Sequence, residues 1–178
     1  MTEITTGRGF TAWRSFADCG NLFRTTKKDD NMILPRGITG FWRVNTAPPP
    51  LLDEKAFCQM CYALARENGG AVTEVDTDIT ARSFYFAKLS RYDQSVFVLQ
   101  NIHYPYAAFA QRDASGGFIL AGQPEWLRLA EGTVHFLSLA ELQQNWHGLC
   151  GELSQEELEQ IHYWNPQTVG EILFNTWD

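Results

Sequence analysis

The sequence lacks the features that mark membrane, secreted and disulfide-rich proteins. No run of about 18 apolar residues occurs, so we expect no membrane-spanning helix and no membrane partner. Residues 1–10 are polar and lack the apolar core of a signal peptide, so we expect a cytoplasmic protein. Only four cysteines are present, and in a reducing cytoplasm we expect them to remain free thiols.

Recognisable catalytic motifs are also missing. The sequence contains no GxSxG, no P-loop and no GxGxxG, and no histidine stands beside a serine or cysteine in a nucleophile motif. This absence argues against an enzyme, and we expect no cofactor. His103 is retained as a candidate catalytic residue, because the segment His103-Tyr-Pro-Tyr106 could line a pocket. The alternative is that this segment forms an ordered turn.

Basic residues are almost missing from the last third of the chain. Residues 123–178 contain one, Arg128, against nine acidic residues, which is a net charge of −8. Residues 1–122 carry a net charge of +1. Such an acidic surface would repel a phosphate backbone, so we expect no nucleic-acid partner. A basic protein is the natural partner of this field, and the alternative is that the charge only keeps the protein soluble.

What the chain does contain is the composition of a globular domain. Apolar residues make up 44% and aromatic residues 13%, which excludes disordered, fibrous and low-complexity proteins. No linker or internal repeat divides the chain, so we expect residues 1–178 to form one domain. Residues 1–36 are expected to be a partly irregular segment whose apolar side chains pack on the domain: Trp13, Phe16, Leu22 and Phe23.

Hydrophobic periodicity predicts an α+β fold. Apolar residues recur at helical spacing between Asp53, a favourable N-cap, and the pair Gly69-Gly70, which predicts one amphipathic helix. Runs of strand-forming residues predict strands over 37–46, 71–75, 82–89, 95–102, 106–111, 118–120 and 133–137. Short connections favour antiparallel pairing, so we expect an antiparallel sheet of about five to seven strands, packed by one central helix and three or four C-terminal helices.

Short helices are expected in the C-terminal region. Pro124 suits the first turn of a helix that runs through Ala130. Trp177 is expected to dock into the body and fix the last helix. Three capping boxes predict helices over 139–146, 155–163 and 169–175: Ser138 with Glu141, Ser154 with Glu157, and Thr168 with Glu171.

One motif suggests a metal or phosphate site. Asp76-Thr-Asp78 follows a predicted strand, where two carboxylates can hold a hard cation. Arg82 and Arg91 could bind a phosphate beside them. With His103, these aspartates define the alternative function, a small metal- or phosphate-binding enzyme. The competing interpretation is that both aspartates form turns.

Two further motifs have ligand-like spacing. Cys58-Gln-Met-Cys61 is a CxxC, a spacing found at redox sites and among zinc ligands. Cys58 lies about a turn inside the predicted helix and Cys61 on its core face, which favours core packing over a redox or metal role. Glu159-Gln-Ile-His162 has the spacing of a di-iron ligand pair. A single copy in a chain with many strands favours a histidine at the edge of the core, so we expect no metal.

The outer face of the 155–163 helix is the main candidate binding site. A helical wheel places Tyr163 beside Glu156 and Glu159 on this face. A tyrosine among carboxylates, with two tryptophans near in sequence, is typical of a protein interface. The competing interpretation is that Tyr163 folds back onto the sheet. The predicted contact residues are Glu152, Glu156, Glu157, Glu159 and Tyr163.

In size, acidity and absence of catalytic motifs, the whole chain resembles bacterial immunity proteins of the toxin–immunity or contact-dependent inhibition type. Those are small, acidic, cytoplasmic domains, often α+β, that bind and block a toxin domain. The resemblance implies a protein-binding module that inhibits a basic toxin domain through its acidic C-terminal face. A third alternative is an oligomeric scaffold in which exposed edge strands pair between chains.

Overall fold

The structure is a computed structural model that describes residues 32–43, 45–149 and 151–177. The predicted packing of Trp13, Phe16, Leu22 and Phe23 falls outside these residues. Within the described ranges the elements are α1 Glu54–Glu67, β1 Ala71–Asp76, β2 Phe84–Arg91, β3 Gln94–Asn101, β4 Tyr106–Arg112, β5 Phe118–Ala121, β6 His135–Phe136, α2 Leu139–Leu142, α3 Gln155–Trp164 and α4 Val169–Leu173.

The strands form one sheet, and the predicted α+β class is confirmed. Strands β1 to β5 are neighbours in sequence order, and each adjacent pair is antiparallel. Strand β6 differs from the expectation, because it runs parallel to β4 and pairs with its first two residues. Helix α1 begins after Asp53, whose side chain accepts the N–H of Lys55 as predicted for an N-cap. No helix in the described ranges is both long and apolar enough to cross a membrane.

Helical layers cover both faces of the sheet, so the central strands are buried on two sides. Successive residues of β2 belong to two different clusters: Phe84 and Phe86 to one, Tyr85 and Ala87 to the other. Helix α1 contributes to the second cluster, while α2, α3 and α4 contribute to the first. Strands β2, β3 and β4 therefore carry nearly continuous apolar runs rather than an alternation of apolar and polar residues.

The predicted strand over 37–46 is wrong for its described residues. Segment 36–40 folds into turns, and Gly37 and Gly40 have φ angles of 87° and 82°. The N–H groups of Gly37 and Thr39 donate to the carboxylate of Glu157 instead of to a neighbouring strand. A carboxylate distant in sequence therefore overrides the strand preference of this segment.

The predicted helix from Pro124 to Ala130 is also wrong. Only a turn forms, in which the N–H of Leu127 donates to the carbonyl of Pro124 at 3.1 Å. Asn68, at the end of α1, donates to the carbonyl of Arg128 at 3.0 Å and accepts its N–H at 2.7 Å. The N–H and the carbonyl of Arg128 are therefore bonded to Asn68 instead of to other residues of a helix.

Two of the three predicted capping boxes are complete, at Ser138 and Ser154. At the third, Thr168 accepts the N–H of Glu171 at 3.3 Å, but the Glu171 carboxylate accepts from Gln167 instead of from Thr168. All three helices begin where the boxes predict, but α2 ends at Leu142 instead of residue 146 and α4 at Leu173 instead of residue 175. Start signals are local side-chain bonds, whereas the ends depend on packing.

A buried polar network joins the helical layer to one end of the sheet. Asn101, at the end of β3, donates to the carbonyls of Ile38 and Leu173 at 3.0 and 2.8 Å. Asn175, beyond α4, donates to the carbonyl of Thr39 at 3.2 Å. Both side chains are almost fully buried. Each donates to buried backbone carbonyls that are not paired within the sheet.

Glu157 is the charged member of this network. Its side chain is 0% exposed. Its Oε1 accepts from the N–H of Gly37 at 3.0 Å and the hydroxyl of Thr39 at 2.9 Å, and its Oε2 accepts from the N–H of Ser154 at 3.0 Å. The carboxylate therefore completes the capping box of α3 and fixes the 36–40 turns against the start of that helix.

We predict that Glu157→Gln lowers the free energy of unfolding by about 3 kcal/mol, because the new amide group would face buried N–H donors and leave them unpaired. The neighbouring substitution Glu156→Gln, at a half-buried carboxylate whose one salt-bridge partner among the described residues is Arg43, serves as control and should cost no more than about 1 kcal/mol. Urea unfolding followed by circular dichroism measures both. Equal losses for the two variants would contradict the structural role assigned to Glu157.

His103 is a buried histidine whose surroundings shift its pKa. The ring is 8% exposed, and its Nδ1 lies 3.1 Å from the carbonyl of Pro50, which requires a proton on Nδ1. Burial lowers the pKa of His103 below its ordinary value, although the bond to Pro50 and the Glu157 carboxylate oppose this shift. The unfolded chain therefore takes up the proton at a higher pH than the folded protein.

We predict that the free energy of unfolding falls as the pH drops below about 6.5, the ordinary histidine value, and continues to fall until the folded-state pKa is reached. His103→Asn keeps a donor near the Nδ1 position but cannot titrate, so its stability should change less with pH in that window. Urea titrations between about pH 7.5 and about pH 5 test this. Parallel pH profiles for the wild type and the variant would show that His103 does not contribute.

Candidate binding surface

The aspartates of the predicted metal or phosphate site are engaged in local turns. Asp76 accepts the N–H of Asp78 at 2.8 Å, and Asp78 accepts the N–H and hydroxyl of Thr80 at 2.9 and 2.6 Å. Nη2 of Arg82 lies 2.5 Å from Oδ1 of Asp76. The hydrogen bond from Arg82 lowers the pKa of Asp76, and those from Thr80 lower the pKa of Asp78. These contacts match the turn interpretation of the motif.

The two arginines expected beside these aspartates lie on aromatic rings. The guanidinium carbon of Arg82 is 4.8 Å from the ring centroid of Phe86, and that of Arg91 is 5.5 Å from that of Tyr92. A guanidinium over a ring covers apolar surface and keeps its donors at the edge. Both arginines therefore have a structural use without a bound phosphate.

Among the residues that the structure describes, His103 shares no hydrogen-bond partner with these aspartates. Its N–H donates to Oδ1 of Asn101 at 2.9 Å, and its ring bonds to Pro50. Across residues 32–43, 45–149 and 151–177, no three histidine, cysteine, aspartate or glutamate side chains are grouped so that they could hold a metal ion. The described contacts therefore do not bring the candidate catalytic residues Asp76, Asp78 and His103 together in one site.

The CxxC cysteines are free thiols on α1. Cys61 is 0% exposed in the core and Cys58 is half-buried. Burial, followed by the nearby Glu54 carboxylate, raises the pKa of Cys58, and burial raises the pKa of Cys61. A helix N-terminus would lower a thiol pKa, but α1 begins four residues before Cys58. The position and the pKa shifts match core packing.

The Glu159–His162 pair lies on the exposed part of α3. Both side chains are exposed, and the Nδ1 of His162 bonds to the carbonyl of Leu158 at 2.7 Å. The expected placement of His162 at the edge of the core is therefore wrong, because the carbonyl one turn earlier holds the ring on the helix surface.

The structure divides the five predicted contact residues. Glu152, Glu159 and Tyr163 are exposed, with Tyr163 at 78%, and the Glu156 side chain is 25% exposed. Tyr163 does not fold back onto the sheet. Glu157 is buried with both oxygens bonded inside the protein, so it does not belong to the exposed face.

The 36–43 segment brings residues to α3 that were not predicted as site residues. Nε of Arg43 donates to Oε1 of Glu156 at 2.7 Å. This bond forms next to a depression of about 270 Å³ that we call the slot, lined by Phe41, Trp42, Arg43, Glu156, Glu159 and Gln160. The aromatic run Phe41-Trp42 is a signal for a surface of this kind, although its residue types also favour a strand.

A row of aromatic rings extends from the slot along the surface. The ring centroids of Phe41 and Trp177 are 6.1 Å apart. Those of Trp177 and Trp164 are 6.4 Å apart, and the two rings are nearly parallel, with an interplanar angle of 5°. Tyr163 lies edge-on to Trp164 at 5.3 Å. The predicted docking of Trp177 into the body is confirmed by its packing against the core. It also supports the exposed ring of Trp164.

A second depression also borders Arg43. Its volume is about 350 Å³, and its lining includes Arg36, Arg43, Glu152 and Glu156. Hydrogen bonds from the backbone N–H of Glu156 and from Arg43 lower the pKa of Glu156, which keeps this carboxylate charged at neutral pH. Arg43 and Glu156 line both depressions.

Carboxylates and exposed aromatic rings therefore occupy one surface. We call it the α3 surface and define it by Trp42, Glu152, Glu156, Glu159, Tyr163 and Trp164. Trp42 and Trp164 are 47% and 40% exposed. Aromatic faces attract cations, and carboxylates pair with them, so this combination favours positively charged side chains.

No protein-family model, no curated protein and no solved structure matches the chain. Function is therefore inferred from the geometry of this surface.

We predict that Cys61 does not react with a thiol reagent in the folded protein and that Cys58 reacts slowly. A Cys19→Ser, Cys150→Ser background isolates the two thiols, and DTNB at about pH 8 is the reagent. Urea should release both thiols. A thiol that reacts faster than free cysteine in the folded protein would instead support the redox interpretation of the CxxC motif.

Proposed function

We propose that the protein is a protein-binding module of the immunity type, which binds and inhibits a basic partner through the α3 surface. The observation that supports this most is the grouping of exposed Trp42, Tyr163 and Trp164 with the carboxylates of Glu152, Glu156 and Glu159. Large exposed aromatic side chains are enriched at the centres of protein interfaces, where their burial supplies much of the affinity.

Charge supports a basic partner over other classes. The last third of the chain carries a net charge of −8. Long-range attraction would speed the encounter with a cationic surface and orient it, and short-range burial of aromatic rings would then slow dissociation. The local field is weaker than the sequence suggests, because Glu157 is buried and Arg36 and Arg43 lie beside the surface.

The first test identifies the partner by differential capture. Immobilised wild type, Glu152→Lys/Glu159→Lys and Glu125→Lys/Glu131→Lys are exposed to extract of the source cell. Both double variants change the net charge equally, and Glu125 and Glu131 are exposed in the segment between β5 and β6. We expect one basic protein that the wild type and the control variant retain at low salt and that Glu152→Lys/Glu159→Lys loses.

The second test measures kinetics and inhibition with the purified partner. Reversal at the α3 surface should slow association by about tenfold or more at low salt and flatten its salt dependence, while the control variant stays close to wild type. Co-expression of the wild type, but not of the α3 variant, should relieve growth inhibition by the partner. Equal slowing by both variants, or a partner retained without regard to charge, would contradict the proposal.

A further inference from the structure

The slot is a small surface depression with room for a single side chain. Its volume is about 270 Å³, at the lower limit of small-molecule sites, which span about 300–1,000 Å³. The aromatic residues Phe41 and Trp42 contribute to its lining, together with the carboxylates of Glu156 and Glu159 and the amide of Gln160.

In the free protein, the described cationic side chains pair only partly with the two carboxylates of the slot. Glu159 accepts one hydrogen bond, from Nε2 of Gln155 at 3.2 Å, and no arginine or lysine of the described residues lies within salt-bridge distance of it. Glu156 is paired with Arg43 through a single nitrogen. Of the described residues that line the slot, two are carboxylates and one is a cation.

Arg43 is held loosely. Its side chain is 67% exposed, and the bond from Nε to Glu156 is the only side-chain hydrogen bond it makes among the described residues. Exposed pairs of this kind contribute little stability. Arg43 also lines the neighbouring depression with Glu152, so a second carboxylate is available to it there.

We propose, resting on the proposed function, that the slot receives an arginine side chain of the partner and that Arg43 occupies its place in the free protein. The planar guanidinium of the partner stacks against Trp42 and donates to Glu156 and Glu159. Arg43 leaves Glu156 and pairs with Glu152. Arginine fits better than lysine because its forked donors can serve two carboxylates while its face lies on a ring.

The test uses capped tetra-arginine, tetra-lysine and tetra-citrulline peptides as probes. Nitrogen-15 NMR follows the indole N–H of Trp42. The indole of Trp126, which packs against the apolar cluster that includes residues of α1, is the internal control. We expect tetra-arginine to shift the Trp42 signal with a dissociation constant at least about threefold below that of tetra-lysine. Tetra-citrulline should give no shift, and Trp126 should not respond.

Two substitutions distinguish displacement from general attraction. Glu159→Gln should weaken binding of tetra-arginine by about fivefold. Arg43→Gln should strengthen it by about threefold, because a competing cation is removed. Lys55→Gln, an exposed change on α1 with the same loss of positive charge, should change affinity much less. The nitrogen-15 spectrum of each variant also reports whether its fold is intact.

Three results would overturn the assignment of the slot: weaker binding of tetra-arginine to Arg43→Gln, equal affinity for the arginine and lysine peptides, or no shift of the Trp42 signal.

Failure of the proposed function is a separate outcome. In that case tetra-arginine still titrates Trp42 as expected, while no basic protein is captured in a manner sensitive to Glu152→Lys/Glu159→Lys. Conversely, charge-sensitive capture without a Trp42 response would preserve the proposed function and remove the arginine slot.

Discussion

The buried carboxylate of Glu157 connects the two parts of the molecule that form the α3 surface, the segment that begins with the 36–40 turns and helix α3 with its start. It accepts hydrogen bonds from the 36–40 turns and from the first turn of α3 at the same time. Asn101 and Asn175 extend these contacts to the end of β3 and to the chain beyond α4. Burial of a carboxylate this deep in a protein is tolerated when its oxygens are bonded to several donors, as they are here.

This anchoring determines where the aromatic and charged side chains of the surface lie. Trp42 and Arg43 follow the anchored turns directly, so their backbone is placed against α3 before any partner arrives. A prearranged surface loses less conformational entropy on binding than a mobile one. Trp177 serves a similar purpose for Trp164, since the stacked rings hold the exposed indole in one orientation.

The helical layer on this side is built from short helices that would not be stable alone. Helices α2 and α4 have 4 and 5 residues, below the length at which an isolated helix forms in water. N-terminal hydroxyl caps and burial of Leu142, Ile172 and Leu173 stabilise them. The interior of this layer thus supplies stability, while its outer side, on α3, remains free to carry the aromatic rings and carboxylates.

Local chemistry in the sequence was enough to predict the α+β class, α1 with its Asp53 cap, the five antiparallel strands and the starts of the three C-terminal helices. Those features depend on periodicity and on side-chain bonds within a few residues. Bonds between distant residues decided the rest. Glu157 converted a predicted strand into turns, and Asn68 prevented a predicted helix at Arg128. The sequence also predicted the exposed side of α3. Only tertiary contacts showed that Glu157 is buried and that Trp42 and Arg43 lie beside this helix. The physical reason is that no local pattern specifies which distant donors a carboxylate will meet.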